Sequence, residues 1–147
     1  MPHFITAEIP FATPAFDEAL RLRHDVLREP LGMEFFAEDI AAEFNQVHLG
    51  VYDPNWELLG CLTLKILNEN TLKMRQVAVA ERVRGRGIGR ELVRFSERWA
   101  ARNGFQTMTL HAREVAVPFY LKLDYAKEGA RFEEVGIPHF RMQRSLI

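Results

Sequence analysis

The stretch Gln76-Val77-Ala78-Val79-Ala80-Glu81-Arg82-Val83-Arg84-Gly85-Arg86-Gly87-Ile88-Gly89 decides how this chain is read. A strand-like apolar run leads into a basic, glycine-rich turn, and the turn opens directly into a helical pattern. From Ile88 the apolar residues recur at Leu92, Phe95 and Trp99, until Asn103-Gly104 stops the helix. The first N–H groups of a helix lack internal partners and sit at the positive end of its dipole. Glycines let the backbone bend around an anion and close upon it. Flanking arginines add charge and bidentate donors suited to phosphate oxygens. The composition of Arg84 to Gly89 therefore suits a diphosphate, although a tight loop alone would also account for the glycines.

Outward from this stretch, the chain alternates between two periods. Ile5, Ala7 and Ile9 alternate with Thr6 and Glu8 as a first strand. Thr13 is an N-cap with Pro14 at the first helical position, and Ala15, Phe16, Ala19, Leu20, Leu22, Val26 and Leu27 give that helix a broad apolar face. Phe35 to Phe44 reads as a second short helix. Strands follow over His48 to Tyr52, Leu58 to Leu67 and Leu72 to Ala80, with turns at Asp53-Pro54-Asn55 and Asn68-Glu69-Asn70. After the Ile88 helix come a strand from Met108 to Ala112, a short helix from Ala116 to Leu123, and two strands around Gly136-Ile137-Pro138. The order β-α-α-β-β-β-α-β-α-β-β puts hairpins before the αβ units. It predicts an α+β fold on a mixed, mostly antiparallel sheet flanked by helices.

The 147 residues suffice for one compact domain, expected to span 1–147. Hydrophobic residues at 48% and charged residues at 27% fit a globular protein rather than a disordered one. No apolar run reaches the roughly 18–20 residues of a membrane span, and Met1-Pro2-His3-Phe4 lacks the pattern of a signal peptide, so the expectation is cytoplasmic, without membrane partners. Cys61 is the only cysteine, which excludes a disulfide framework and a cysteine metal cage. A net charge of −1 gives no general attraction to nucleic acid. Arg86, Arg90, Arg94, Arg98 and Arg102 recur every four residues, which reads as a solvated helix face partnered by Glu91 and Glu97. Nucleic-acid binding is not expected, because interleaved exposed aromatics are missing.

Two other phosphate folds are excluded by detail. The Gly-Lys-Ser/Thr of a nucleoside triphosphatase is absent, and the turn follows hairpin strands rather than opening a parallel βαβ unit. Its spacing, Arg84-x-x-Gly87-x-Gly89 after Val77-x-Val79, resembles the coenzyme-A signature of the GNAT superfamily of N-acetyltransferases. The resemblance is close from Gln76 to Trp99, and the element order extends it over essentially the whole chain. Pro118-Phe119-Tyr120-Leu121-Lys122-Leu123-Asp124-Tyr125 looks like the Phe-Tyr-x-x-x-Gly-Phe/Tyr segment of that superfamily. Leu22-Arg23-His24-Asp25-Val26-Leu27-Arg28 and Gly136-Ile137-Pro138-His139 resemble small bacterial members of the ElaA-like kind.

The resemblance implies an acetyl-CoA-dependent N-acetyltransferase acting by direct attack in a ternary complex, without a metal. It implies that Arg84, Gly85, Arg86, Gly87, Ile88 and Gly89 cradle the coenzyme pyrophosphate. Val77 and Val79 would offer main-chain groups to the pantetheine arm, and Tyr120 would meet the departing thiolate. Asp124 stands where the family usually has glycine, and Pro118 where a polar residue is common. Some members carry a glutamate base on the strand before the signature, but Leu72-Lys73-Met74-Arg75-Gln76 contains no carboxylate.

The base is therefore open among His111, His139, Glu133, Glu134, Glu34 and His24, or a water relay. An acidic rim at Glu133-Glu134 would attract a cationic amine, so the acceptor is expected to be a small-molecule or peptide primary amine. A non-catalytic acyl-CoA sensor is the alternative, motivated by the missing strand glutamate and by Asp124. The oligomer that the resemblance leaves open is a homodimer.

Overall fold

The computed structural model describes residues 3–147. Its elements are β1 (Ile5–Glu8), α1 (Pro14–Arg23), α2 (Ala37–Ala41), β2 (Val47–Tyr52), β3 (Leu58–Ile66), β4 (Thr71–Val79), α3 (Ile88–Arg102), β5 (Thr107–Arg113), α4 (Val117–Leu121), β6 (Ala126–Glu134) and β7 (Ile137–Ser145). The order is the one expected from the sequence. The seven strands form a sheet in the order β1-β2-β3-β4-β5-β7-β6. Only the β4–β5 pairing is parallel among the registers β1–β2, β2–β3, β4–β5, β5–β7 and β6–β7. The fold is thus α+β on a mostly antiparallel sheet.

The chain divides into two compact units, and β4 and α3 each contribute to both. The first comprises the residues up to Lys65 together with Gln76–Ser96. Thr13 caps α1, its hydroxyl accepting from Phe16 N–H at 3.3 Å, with Pro14 in the first turn. This cap directs Phe16 and Ala19 onto a core with Ile9, Tyr52, Leu58, Cys61 and Ala78. α1 then loosens into a π turn over His24–Arg28 and a 3-10 turn over Glu29–Leu31, where the sequence pattern had continued as plain helix.

Polar residues join this core as hydrogen-bonded pairs, Arg23–Glu43 and His48–Thr63, in which only the Arg23 Nε is left buried without a partner. Arg23 is 1% exposed and forks onto the buried Glu43 through Nη1–Oε1 at 2.8 Å and Nη2–Oε2 at 2.7 Å. His48 is also buried. Its Nε2 lies 3.2 Å from the Glu43 carbonyl, which can only accept, so Nε2 carries the proton and Nδ1 accepts from the Thr63 hydroxyl at 3.0 Å.

The second unit comprises Ile66–Arg75 and Glu97–Ile147. Leu72, Met74, Met108, Leu110, Ala112 and Met142 fill its sheet, while Val117, Tyr120, Leu123 and Tyr125 pack around α4. Glu97 is buried here and accepts from the Tyr125 hydroxyl at 2.8 Å and from Arg144 at 2.6 Å. The helix pattern had placed it on a solvated face. The buried positions of α3 are Ile88, Leu92, Val93, Ser96, Glu97 and Ala100, and Phe95 and Trp99 stand only half-buried on the shoulder. The apolar stripe is therefore rotated from the one that the largest side chains suggested.

Candidate active site

In the first unit, β4 ends at Val79 and the chain passes through a 3-10 turn, Glu81–Val83, into the glycine-rich segment. Gly85 and Gly87 have φ of 82° and 81°, a left-handed conformation that costs an L-residue about 1–2 kcal/mol. No atom lies within 4 Å of where a Cβ would stand at either glycine, so the segment borders open space. The first turn of α3 closes with Glu91 N–H on the Gly87 carbonyl at 3.0 Å. The amides of Ile88, Gly89 and Arg90 therefore have no helical acceptor, and among the described residues they have none elsewhere. Arg84 and Arg86 are exposed, and no carboxylate within the described residues neutralises either. The Arg84 N–H is taken by the Glu81 carbonyl at 3.2 Å, so the stretch from Arg84 to Arg90 presents the unused amides of Ile88, Gly89 and Arg90, two guanidinium groups and a helix N-terminus.

Two further features shape this end of the unit. Gly60 on β3 faces the start of α3, and a Cβ there would stand 2.8 Å from Leu92 Cδ1 and 3.0 Å from Ile88 Cγ2. Its missing side chain lets α3 begin close against the strands. A groove of about 510 Å³ adjoins the turn, lined by Phe4, Pro54, Leu59, Val83, Arg86 and Ile88. An anion held by the turn has an apolar recess beside it.

The β4–β5 ladder runs from Thr71↔Thr107 to Met74↔Leu110, so Val77 and Val79 lie outside it. Gln76, two residues past its end, has φ of 55°, which interrupts the regular strand. A left-handed glutamine is strained by roughly 1–3 kcal/mol and marks the place where β4 changes course.

In the second unit, Tyr120 is 7% exposed and its ring meets Phe119 and Tyr125 edge-on at 5.0 and 5.7 Å. Burial pushes its hydroxyl up to about 12. Asp124 has φ of 72°, the conformation that a glycine would take at this position, and closes the α4 turn with its N–H on the Leu121 carbonyl. Aspartate tolerates this region better than most residues.

The strands β5, β6 and β7 bring together His111, Glu134 and His139, which the sequence spacing had left apart. His111 Nδ1 lies 2.9 Å from Glu134 Oε1, and His139 Nε2 lies 3.6 Å from Glu134 Oε2. Phe132 packs against both imidazoles, edge-on to His111 at 5.0 Å and stacked with His139 at 5.9 Å. Burial pushes the Glu134 carboxyl up, but the hydrogen bond and charge of His111, with His139 and Lys73, outweigh this and hold it below its ordinary value. Glu133 takes no part, because successive strand residues face opposite sides and Glu134 is the one on the side of Phe132 and the two rings. The carboxylate beside the histidines is its neighbour. His24 and Glu34 belong to the first unit, where they approach each other at 3.5 Å on the surface.

The groups are thus donors for an anion in one unit, and a phenol with a histidine–carboxylate cluster in the other. Among the described residues no cluster of His, Cys, Asp or Glu has an arrangement that could hold a metal ion, and no helix is long and apolar enough to cross a membrane.

Comparison with known proteins bears directly on this arrangement. The family model described as an acetyltransferase (GNAT) domain matches residues 24–146. An uncharacterized N-acetyltransferase of Bacillus subtilis (strain 168), YjcF, is 33% identical over 73 residues, 49% of this chain and 52% of that protein. The match spans about half the length of that relative. A candidate N-acetyltransferase from Lactobacillus plantarum has a similar solved structure at TM-score 0.82 and 25% identity, covering 99% of this chain and 98% of that one. An aminoglycoside 6'-N-acetyltransferase solved with coenzyme A also gives 0.82, at 19% identity over 97% of both chains. Escherichia coli ElaA gives 0.78 at 20% identity, covering 98% of this chain and 99% of its own. With the family model spanning most of the sequence and the fold shared over nearly all of it, this chain belongs to the GNAT acetyltransferase family.

Proposed function

We propose that this protein transfers the acetyl group of acetyl-CoA to a primary amine by direct attack in a ternary complex. The observation that carries the reading is the Arg84–Gly89 turn, with its unused amides, unpaired arginines and open space at both left-handed glycines. Those residues fit a pyrophosphate. Val77 and Val79 lie outside the β5 ladder, which leaves their main-chain groups for an extended pantetheine arm. A main-chain N–H of the same strand would stabilise the oxyanion as the amine adds to the thioester carbonyl.

Tyr120 would receive the thiolate as its carbon–sulfur bond breaks. With its hydroxyl at about 12 against ~8.5 for an ordinary thiol, full proton transfer is uphill by ~3.5 units, or about 5 kcal/mol. A hydrogen bond to the thiolate is the role its environment favours. Asp124 already holds the left-handed turn that the family's glycine would provide, which removes one motive for a non-catalytic sensor. The acceptor matters energetically: a lysine-like amine costs about 4–5 kcal/mol to deprotonate at pH 7, an α-amine only about 1.

Thermal shift with acetyl-CoA, CoA and matched salt tests the coenzyme, and Gly87→Trp should abolish the coenzyme-dependent shift while keeping the fold. No shift with the wild-type chain would overturn the reading. Thiol release across a panel of amines then separates an enzyme from a sensor. Cys61 is buried and burial pushes its thiol up to about 12, so a thiol reagent should report the released coenzyme rather than the protein.

A further inference from the structure

The strand glutamate that serves some family members as base has no counterpart in Leu72–Gln76, yet the β5–β7–β6 side of the sheet builds a different proton acceptor. We propose that His111 Nε2 is the general base for acetyl transfer and that Glu134 is the positioning residue that fixes its tautomer. The proposal rests on the acetyltransferase reading above and supplies the step that reading lacks.

The geometry chooses both the residue and the nitrogen. An ionised carboxylate can only accept, so at 2.9 Å from Glu134 Oε1 it is His111 Nδ1 that carries the proton. Nε2 is then left with its lone pair, oriented by a group that also stabilises the imidazolium formed when it takes a proton. His139 does not compete. Its Nδ1 lies 2.7 Å from the Ile137 carbonyl and so carries a proton as well, and its side chain is only 6% exposed against 28% for His111. A substrate can reach one ring and not the other. His139 instead closes the far side of Glu134, and Phe132 holds both rings in place.

His111 also stands at a particular place on its strand. The β4–β5 ladder ends at Met74↔Leu110, and His111 is the next residue. The charged groups on the same face include Lys73 and Arg75 on β4, Arg113 on β5 in register with His139, Arg141 on β7 in register with His111, and Glu128 on β6 in register with Arg141. Arg141 is engaged with Glu128 at 3.3 Å, which leaves Glu134 as the carboxylate in contact with His111. In the step itself, the amine nitrogen forms its bond to the acetyl carbon and the carbon–sulfur bond breaks. The sulfur keeps that electron pair. The nitrogen gives up a proton to His111 Nε2, which later returns it to solvent.

The experiment reads the tautomer first and the rate second. Long-range proton–nitrogen NMR on the full chain, labelled at its five histidines and assigned by single substitutions, should show His111 protonated at Nδ1 and bare at Nε2. In Glu134→Gln the preference for Nδ1–H should weaken. A wild-type His111 protonated at Nε2 instead, or one unmoved by Glu134→Gln, overturns the proposal whatever the acceptor is.

With an amine identified by thiol release, His111→Gln should lower kcat about 100-fold or more and remove the acidic limb of the pH profile. Glu134→Gln should lower kcat as well, and Glu134→Asp should restore part of the loss. The acetyl-CoA thermal shift should remain in all three. A His111→Gln protein that binds acetyl-CoA and keeps the wild-type pH profile overturns the base alone, whereas loss of coenzyme binding in the wild type overturns the acetyltransferase reading.

Discussion

His111 and Glu134 lie 2.9 Å apart although 23 positions separate them in the chain, because β7 pairs with both of their strands. The contact affects stability as well as chemistry. Glu134 is held below its ordinary carboxyl value, so its contribution is fully present above that value and is lost as pH falls through the lowered one. Glu134→Gln should therefore destabilise the protein near neutral pH, by under about 1 kcal/mol because the carboxylate is half-exposed. The two unfolding curves should begin to converge as pH falls below the ordinary carboxyl value, about pH 4. Denaturant melts at pH 7 and at pH 3.5 check this, and an equal gap at both would refute the ion-pair origin.

Tyr120 gives the opposite sign at the other end of the scale. Burial raises its hydroxyl from 10.0 to about 12, so its stabilising contribution is intact below pH 10 and declines as pH rises toward 12. Tyr120→Phe should flatten this alkaline loss. With a confirmed amine it should also slow turnover roughly 10-fold or more while acetyl-CoA binding persists. Unchanged turnover would remove Tyr120 from the site.

Gly60 is a packing prediction. A methyl group there meets Leu92 and Ile88 at 2.8 and 3.0 Å and the Ala78 carbonyl at 3.2 Å. The side chains must yield or α3 must lift, and overpacking of this kind costs about 1–3 kcal/mol. Gly60→Ala should lower the melting temperature and weaken acetyl-CoA binding together, because α3 carries the unused amides proposed to hold the pyrophosphate. A stability loss without any change in coenzyme affinity would show that side-chain movement alone absorbs the methyl.

The Arg23–Glu43 pair makes an asymmetric case. Removing one partner leaves a buried charge alone, and Glu43→Ala should cost about 3–5 kcal/mol. Replacing both by Met and Leu of similar volume should recover most of that loss. Urea unfolding of the single and double variants gives the comparison, and equal losses in both would mean that packing rather than charge pairing dominates.

The element order and the glycine-rich turn before α3 were legible because both are local. Strand alternation, the Thr13-Pro14 cap and the glycines at 85 and 87 act through neighbouring backbone, so spacing along the chain reveals them. The short helix that carries Tyr120 was legible for the same reason. A choice among the six candidate bases was not, since they lie on several elements with no fixed spacing. Pairing of β6 with β7 and of β7 with β5 is what places Glu134, rather than Glu133, beside His111, and a one-residue change in register would have exchanged them. Burial of Arg23, Glu43 and Glu97 was likewise invisible, because a charge is buried only when a distant chain segment brings its partner. The sequence by itself determined a strand, a basic glycine-rich turn and a helix in that order. Only the tertiary structure decided which side chains meet, because strand register and core packing are set by residues far apart in the chain.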